Sequence, residues 1–199
     1  LFGRLSSNQY TFCRHKEVII SEASVAGTDV LKAMEYAKAN SVGTGEGSRK
    51  CNCGDKCAQY AAWIDQYSKA YGVPDQLLVL SIMMQESSCT QDSTSSAGCR
   101  GLMQICDWDI CKPIGINSFD DVIGSGNEQN NIKRGIYILK QKYNAVKDED
   151  GSYDPYNCGY KYSDAWDRAV RGYVGWKCGH KNYVEEVKEK YNILKQHAA

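Results

Sequence analysis

Apolar residues recur along this chain at helical rather than alternating spacing. In "GTDVLKAMEYAKAN", Val30, Leu31, Met34 and Ala37 fall on one side of a helix, with Thr28 placed as its N-cap. "SVGTGEGSRK" interrupts the pattern and reads as a loop or linker. The period resumes in "KCAQYAAWIDQYSKAYG", which Asp55 caps, where Tyr60, Trp63, Ile64 and Tyr67 point inward and Gly72 is the stop. "NEQNNIKRGIYILKQKYNAV" repeats it through Ile132, Ile136, Leu139 and Tyr143. "SDAWDRAVRGYVG", capped by Ser163, does so through Trp166, Ala169, Val170 and Tyr173. "NYVEEVKEKYNIL" ends the series with Val184, Val187, Tyr191 and Leu194.

One segment breaks the amphipathic rule. In "PDQLLVLSIMMQESS" the residues Leu77, Leu78, Leu80, Ile82, Met83 and Met84 wrap most of the helix, so it is predicted to be central and buried, with Pro74 in its first turn. Between Cys89 and Phe119 the chain is rich in Ser, Gly, Asp and Cys, suiting loops, short turns or a small hairpin. No repeat and no strand pattern long enough for a sheet is present, so the fold class is mainly α. Residues 1–50 read as an N-terminal extension with one helix and a glycine-rich linker, and 51–199 as the main domain.

Composition changes this picture chiefly through ten cysteines in 199 residues. So many thiols, in even number, fit an oxidised, exported protein better than a reduced cytosolic one. "CNCGDKC" offers three thiols, but no second CxxC knuckle and no histidine at finger spacing, so disulfides are expected and no metal or other cofactor. Local loops suggest Cys89 with Cys99, Cys106 with Cys111, and Cys158 with Cys178. Cys13, Cys51, Cys53 and Cys57 would then make two more bridges, one tying the extension to the main domain. Lys plus Arg and Asp plus Glu both total 24, which gives no reason to expect nucleic acid or an anionic membrane as partner. No apolar stretch reaches membrane-spanning length. The chain begins at Leu1 with no leader pattern, which implies a signal peptide already removed. Fourteen tyrosines and four tryptophans against three phenylalanines suggest amphipathic aromatic surfaces able to stack on sugars.

The buried helix ends on Glu86, and this is the candidate chemistry. The negative end of a helix dipole and the apolar Met83 and Met84 both disfavour the ionised carboxylate, as a general acid working near neutrality requires. The same pattern also describes an exposed glutamate at a fraying helix end, and the residues alone leave both readings open.

"QES" at 85–87 followed by "SSAGCRGLMQI" at 95–105 resembles the signature of the soluble lytic transglycosylase family, with its goose-type lysozyme fold. Glu86 and Gln104 lie 18 residues apart, and Ser95 and Gly98 fall where the family's turn residues fall. "NNIKRGIYILKQ" resembles the family's Asn-Ile…Gly helix and "GYVGW" its Tyr-Asn-Gly motif, so that the likeness covers roughly residues 57–194. It implies a disulfide-stabilised, lysozyme-like catalytic domain over 51–199. Glu86 would be the acid/base residue, Gln104 and Ser95 would hydrogen-bond the sugar beside the scissile bond, and Met103 would pack beneath them. Tyr173 would place its hydroxyl near the reacting ring, or be a core tyrosine, and Ser87 would fix the Glu86 rotamer or satisfy the helix end. Two departures stand out: Val174 replaces the family's asparagine, and Cys99 and Cys106 flank the Gly-Leu-Met-Gln segment.

The resemblance implies an extracytoplasmic, monomeric enzyme whose partner is the glycan strand of peptidoglycan, or a related β-1,4 GlcNAc polymer. It would cleave the MurNAc–GlcNAc bond and leave 1,6-anhydro-MurNAc ends. A hydrolytic lysozyme or chitinase of the same fold is an alternative, needing a second carboxylate such as Asp92, Asp107 or Asp109. A non-catalytic glycan-binding module is the alternative from another class.

Overall fold

The computed structural model describes residues 28–107 and 114–198. Six α-helices form among them: α1 (Thr28–Ala39), α2 (Cys57–Tyr71), α3 (Gln76–Ser87), α4 (Glu128–Val146), α5 (Ala165–Tyr173) and α6 (Tyr183–Ala198). No strand forms among the described residues. Val42 with Arg49, Thr94 with Arg100 and Arg100 with Ile105 make isolated antiparallel bridges only. The mainly α class read from the periodicity is the observed one.

Three helix starts differ from expectation. Lys56 rather than Asp55 occupies the N-cap of α2 and makes no side-chain cap there. Its ammonium is drawn instead to the buried Glu128 carboxylate at the start of α4, a charge that costs more to leave unpaired than a helix end does. At α3 the chain passes Pro74 before the helix begins, and Asp75 accepts from the Leu77 and Leu78 amides at 3.0 and 3.4 Å. At α5 the cap is Asp164, not Ser163, accepting from the Trp166 and Asp167 amides at 2.8 and 3.1 Å. A carboxylate at the positive end of a helix is stabilised by the dipole as well as by its bonds, so each aspartate wins over its neighbour. The stop of α2 is as expected: Gly72 is left-handed at φ 66°, and its amide closes on the Lys69 and Ser68 carbonyls.

Helix α3 is the centre. Val79, Leu80, Ile82, Met83 and Met84 are fully buried, and side chains of this size contribute about 1.5–3 kcal/mol each on burial. Helices α6, α2 and α1 pack around it, and α4 bridges α2 to α5. Val30, Ala33, Met34 and Ala37 of α1 join the same buried cluster as Val184, Val187 and Leu194 of α6, and Tyr36 stacks on His197 at 3.6 Å between centroids.

The disulfides correct the expected pairing in part. Cys158 bonds Cys178 as expected, but Cys89 bonds Cys51, Cys99 bonds Cys106, and Cys53 bonds Cys57. Nearness along the chain misled at Cys89, because residues 51–53 run alongside the end of α3, with the Asn52 amide donating to the Ser88 carbonyl at 2.8 Å. Cys99 and Cys106 face each other across the hairpin that pairs Arg100 with Ile105, which takes each away from its expected partner. Cys13 and Cys111 lie outside the described residues, but the expected tie from Cys13 to Cys51, Cys53 or Cys57 does not hold, because Cys51 is taken by Cys89 and Cys53 and Cys57 bond each other.

Candidate active site

The end of α3 is a tight, over-determined turn. Ser88 and Cys89 are both left-handed, at φ 54° and 56°, a conformation that costs a non-glycine residue about 1–3 kcal/mol and persists only when neighbours enforce it. Here the Cys51–Cys89 bridge, the Asn52-to-Ser88 hydrogen bond and the Ser88 amide bonded to the Met84 carbonyl at 3.0 Å enforce it. Ser87 is buried, and its hydroxyl donates to the Leu102 carbonyl at 2.7 Å while accepting from the Thr90 amide at 3.2 Å. It thereby ties the glutamate-bearing turn to the Gly101–Gln104 segment.

That segment is the tip of a small hairpin. Arg100 and Ile105 exchange amide-to-carbonyl bonds at 2.8 and 2.9 Å, and Cys99–Cys106 closes the next pair outward. Asn131, fully buried on α4, fixes the tip. Its Oδ1 accepts from the Met103 amide at 2.8 Å, and its Nδ2 donates to the Arg100 and Val122 carbonyls at 3.0 and 2.8 Å. The close approach needs two glycines. A Cβ on Gly101, itself at φ 82°, would lie 2.3 Å from Asn131 Nδ2, and one on Gly135 would lie 2.6 Å from Met103 Cβ. Tyr173, the last residue of α5, donates from its hydroxyl to the Met103 carbonyl at 2.9 Å.

Glu86 stands half-buried at the meeting point of these elements. Burial pushes its carboxyl up to about 7, against the opposing pull of a hydrogen bond donated by the Tyr183 hydroxyl. Tyr183 is itself buried and raised well above the usual phenol range, first by burial, then by the Glu86 charge. Tyr173 lies near enough to act on Tyr183 electrostatically. Glu86, Ser87 and Tyr173 are thus brought into one connected network with Leu102 and Met103. Gln104 sits at φ 48° with both amide protons directed to the Ser93 and Gly101 carbonyls, at 3.1 and 2.9 Å. Ser95 lies on the other side of the hairpin, its Oγ accepting from the Cys99 amide at 3.1 Å. Val174 follows Tyr173 half-buried at the end of α5.

Tyr183 was not among the residues singled out from sequence. Its spacing one turn before Val187 on the apolar stripe of α6 is a signal for packing inward, as it does, and not for contact with a carboxyl. A cavity of about 220 Å³ lies elsewhere, lined by Asp75, Leu78, Trp166 and Tyr191, away from the Glu86 end of α3.

Among protein-family models, the transglycosylase SLT domain matches residues 62–178, more than half of the chain. The chain belongs to this family. A search of curated proteins finds no match. At the level of the family, the SLT domain implies peptidoglycan cleavage of the lytic transglycosylase type, and the mainly helical, disulfide-bonded fold accords with it. The matched segment contains Glu86, the hairpin and Tyr173, while α1 and the Tyr183 helix lie outside it. No described helix is long and apolar enough to cross a membrane.

Proposed function

We propose that this protein cuts the β-1,4 bond between N-acetylmuramic acid and N-acetylglucosamine with Glu86 as its single acid/base, leaving 1,6-anhydro-MurNAc ends. The observation that carries this reading is the Glu86 carboxyl itself. It is half-buried at the end of an apolar helix, raised to about 7, and bonded to one hydroxyl. Such a group is protonated in a good fraction of molecules near neutrality and is a competent base once it has given its proton away.

Protonated Glu86 donates to the glycosidic oxygen as the bond to the muramic acid C1 breaks, releasing the GlcNAc hydroxyl. The Glu86 carboxylate then takes the proton from the C6 hydroxyl of the same muramic acid, whose oxygen closes onto C1. The enzyme ends protonated, as it began. Intramolecular attack carries an entropic advantage of about 7–11 kcal/mol over a free nucleophile, which removes the need for a second carboxylate to activate water. Gln104, its amide protons engaged within the hairpin, offers its carbonyl oxygen to the sugar, and Ser95 supplies a further polar contact. Tyr173, with its hydroxyl on the Met103 carbonyl, presents its ring to the reacting residue, and Ser87 holds the Glu86 turn against the hairpin. The four disulfides among the described residues support an extracytoplasmic site of action.

Digestion of purified peptidoglycan in water enriched in heavy oxygen, with mass analysis of the fragments, tests the proposal. Ends lighter by one water than a lysozyme product, and free of label, are expected. Labelled reducing ends would establish hydrolysis instead, and no cleavage at all would favour a binding module.

A further inference from the structure

Lys190 is fully buried on α6, at 0% exposure, which is rare for a lysine because its ammonium must give up water. Its hydrogen-bond partner is the side-chain oxygen of Gln85, at 2.8 Å. The amide nitrogen of the same Gln85 donates to Glu186 at 2.6 Å. Gln85 therefore has both ends of its amide held by one helix, by an ammonium on one side and a carboxylate on the other. It is also the residue immediately before Glu86.

On α6, Tyr183, Glu186 and Lys190 follow one another along a single face at three- and four-residue steps. They meet α3 as three rungs: Tyr183 on Glu86, then Glu186 and Lys190 on Gln85. The apolar contacts of α6, through Val184, Val187 and Leu194, are non-directional and tolerate small repacking. The two Gln85 rungs do not. Sliding α6 by one residue moves its side chains by about 1.5 Å along and about 100° around the axis, which breaks both. A leucine in place of Lys190 would suit the core at no desolvation cost, so the buried ammonium is explained by direction rather than by stability.

We propose that Gln85, Lys190 and Glu186 are positioning residues for Glu86 and its hydroxyl donor: the doubly held Gln85 amide sets the register of α6 that carries the Tyr183 hydroxyl to the Glu86 carboxyl. The inference deepens the proposed function and rests on it for its catalytic meaning. The ionisable groups acting on this cluster are Tyr183, Glu186, Glu189 and Lys190 from α6, Tyr173 from α5 and Arg49 from the loop before α2.

The test is a carbon-13 titration of the Glu86 carboxyl in the full chain, with the resonance assigned by its loss in Glu86→Gln. Gln85→Met keeps size and charge while removing both rungs. Glu186→Ala removes one rung from the solvent side, where folding is not at stake. Each is expected to raise the Glu86 midpoint by about one pH unit, the effect of losing the hydroxyl donor. Neither should add to the rise caused by Tyr183→Phe. The Glu186 variant separates the explanations by sign, since removing a nearby negative charge alone lowers the midpoint. Leu194→Ala, on the same helix but away from the rungs, should lower Tm and leave the midpoint in place. An unmoved or lowered midpoint in Glu186→Ala, or a shift that adds in full to Tyr183→Phe, overturns the assignment. Because the titration needs no substrate, failure of wild-type protein to cleave peptidoglycan would sink the proposed function without touching this result.

Discussion

Glu86→Gln should make this protein more stable, and only above a definite pH. In the unfolded chain the Glu86 carboxyl loses its proton near 4.5, and in the folded chain near 7, because burial disfavours the charge. The folded state therefore binds more protons than the unfolded state between these values. Full stability is present below about 4.5 and is lost as pH rises through the folded value. Two and a half units at about 1.36 kcal/mol each give a penalty of about 3 kcal/mol once both states are ionised. The glutamine keeps the shape and an acceptor for the Tyr183 hydroxyl, and it carries no charge to desolvate. Thermal unfolding of wild type and variant at about pH 4 and about pH 8 reads the difference. The two should melt together at the lower pH, and the variant about 10 °C higher at the upper, at roughly 2–4 °C per kcal/mol for a chain of this length. A variant no more stable than wild type at the upper pH, or stabilised equally at both, refutes the reasoning.

Tyr183→Phe removes the donor that holds the carboxylate, so the basic limb of the kcat/KM–pH profile should move up by about one unit. A downward move would show that the hydroxyl does not stabilise the anion. Gly135→Ala places a Cβ 2.6 Å from Met103 Cβ and should cost roughly 1–3 kcal/mol in chemical denaturation, with turnover falling because the hairpin tip is displaced. Replacing Cys51 and Cys89 together by serine opens a 38-residue separation and should cost about 4 kcal/mol, against much less for Cys53 and Cys57, four residues apart. Equal losses for the two pairs would count against the loop-entropy account.

Much of the fold could be read from the chain because each helix carries its own apolar period, and α3 announced its central place by having no polar side. The caps at Asp55 and Ser163 were read one residue early, and Pro74, expected inside the first turn of α3, precedes its Asp75 cap, because the choice between neighbours depends on partners remote in sequence or on charge near the helix dipole. Glu86, Ser87 and Tyr173 were legible as motif residues. The chemistry joining them was not: the Ser87-to-Leu102 and Tyr173-to-Met103 bonds exist only once the hairpin has docked on Asn131. Tyr183 was the main omission. Nothing in "KNYVEEV" marks that tyrosine as a partner for a carboxyl 97 residues earlier, because the contact is made by the packing of α6 on α3. Cys158–Cys178 was legible, but Cys89 was misassigned for the same reason as Tyr183, since its partner Cys51 is brought beside the helix end by the fold, and Cys99 meets Cys106 only across the hairpin.

The placement of Tyr183 on α6 also sets a timetable. A chain made from its N-terminus acquires Glu86 with 97 residues still to come before its hydroxyl partner, about 5–20 s at ordinary rates of synthesis. Helix α1, made earlier still, waits for the same helix to cover its apolar side. The beginning, the middle and the acid itself thus all depend on a segment made late, and no partial chain that stops short of α6 holds the finished pair. An enzyme aimed at a structural polymer is in this way kept incomplete while it is being made.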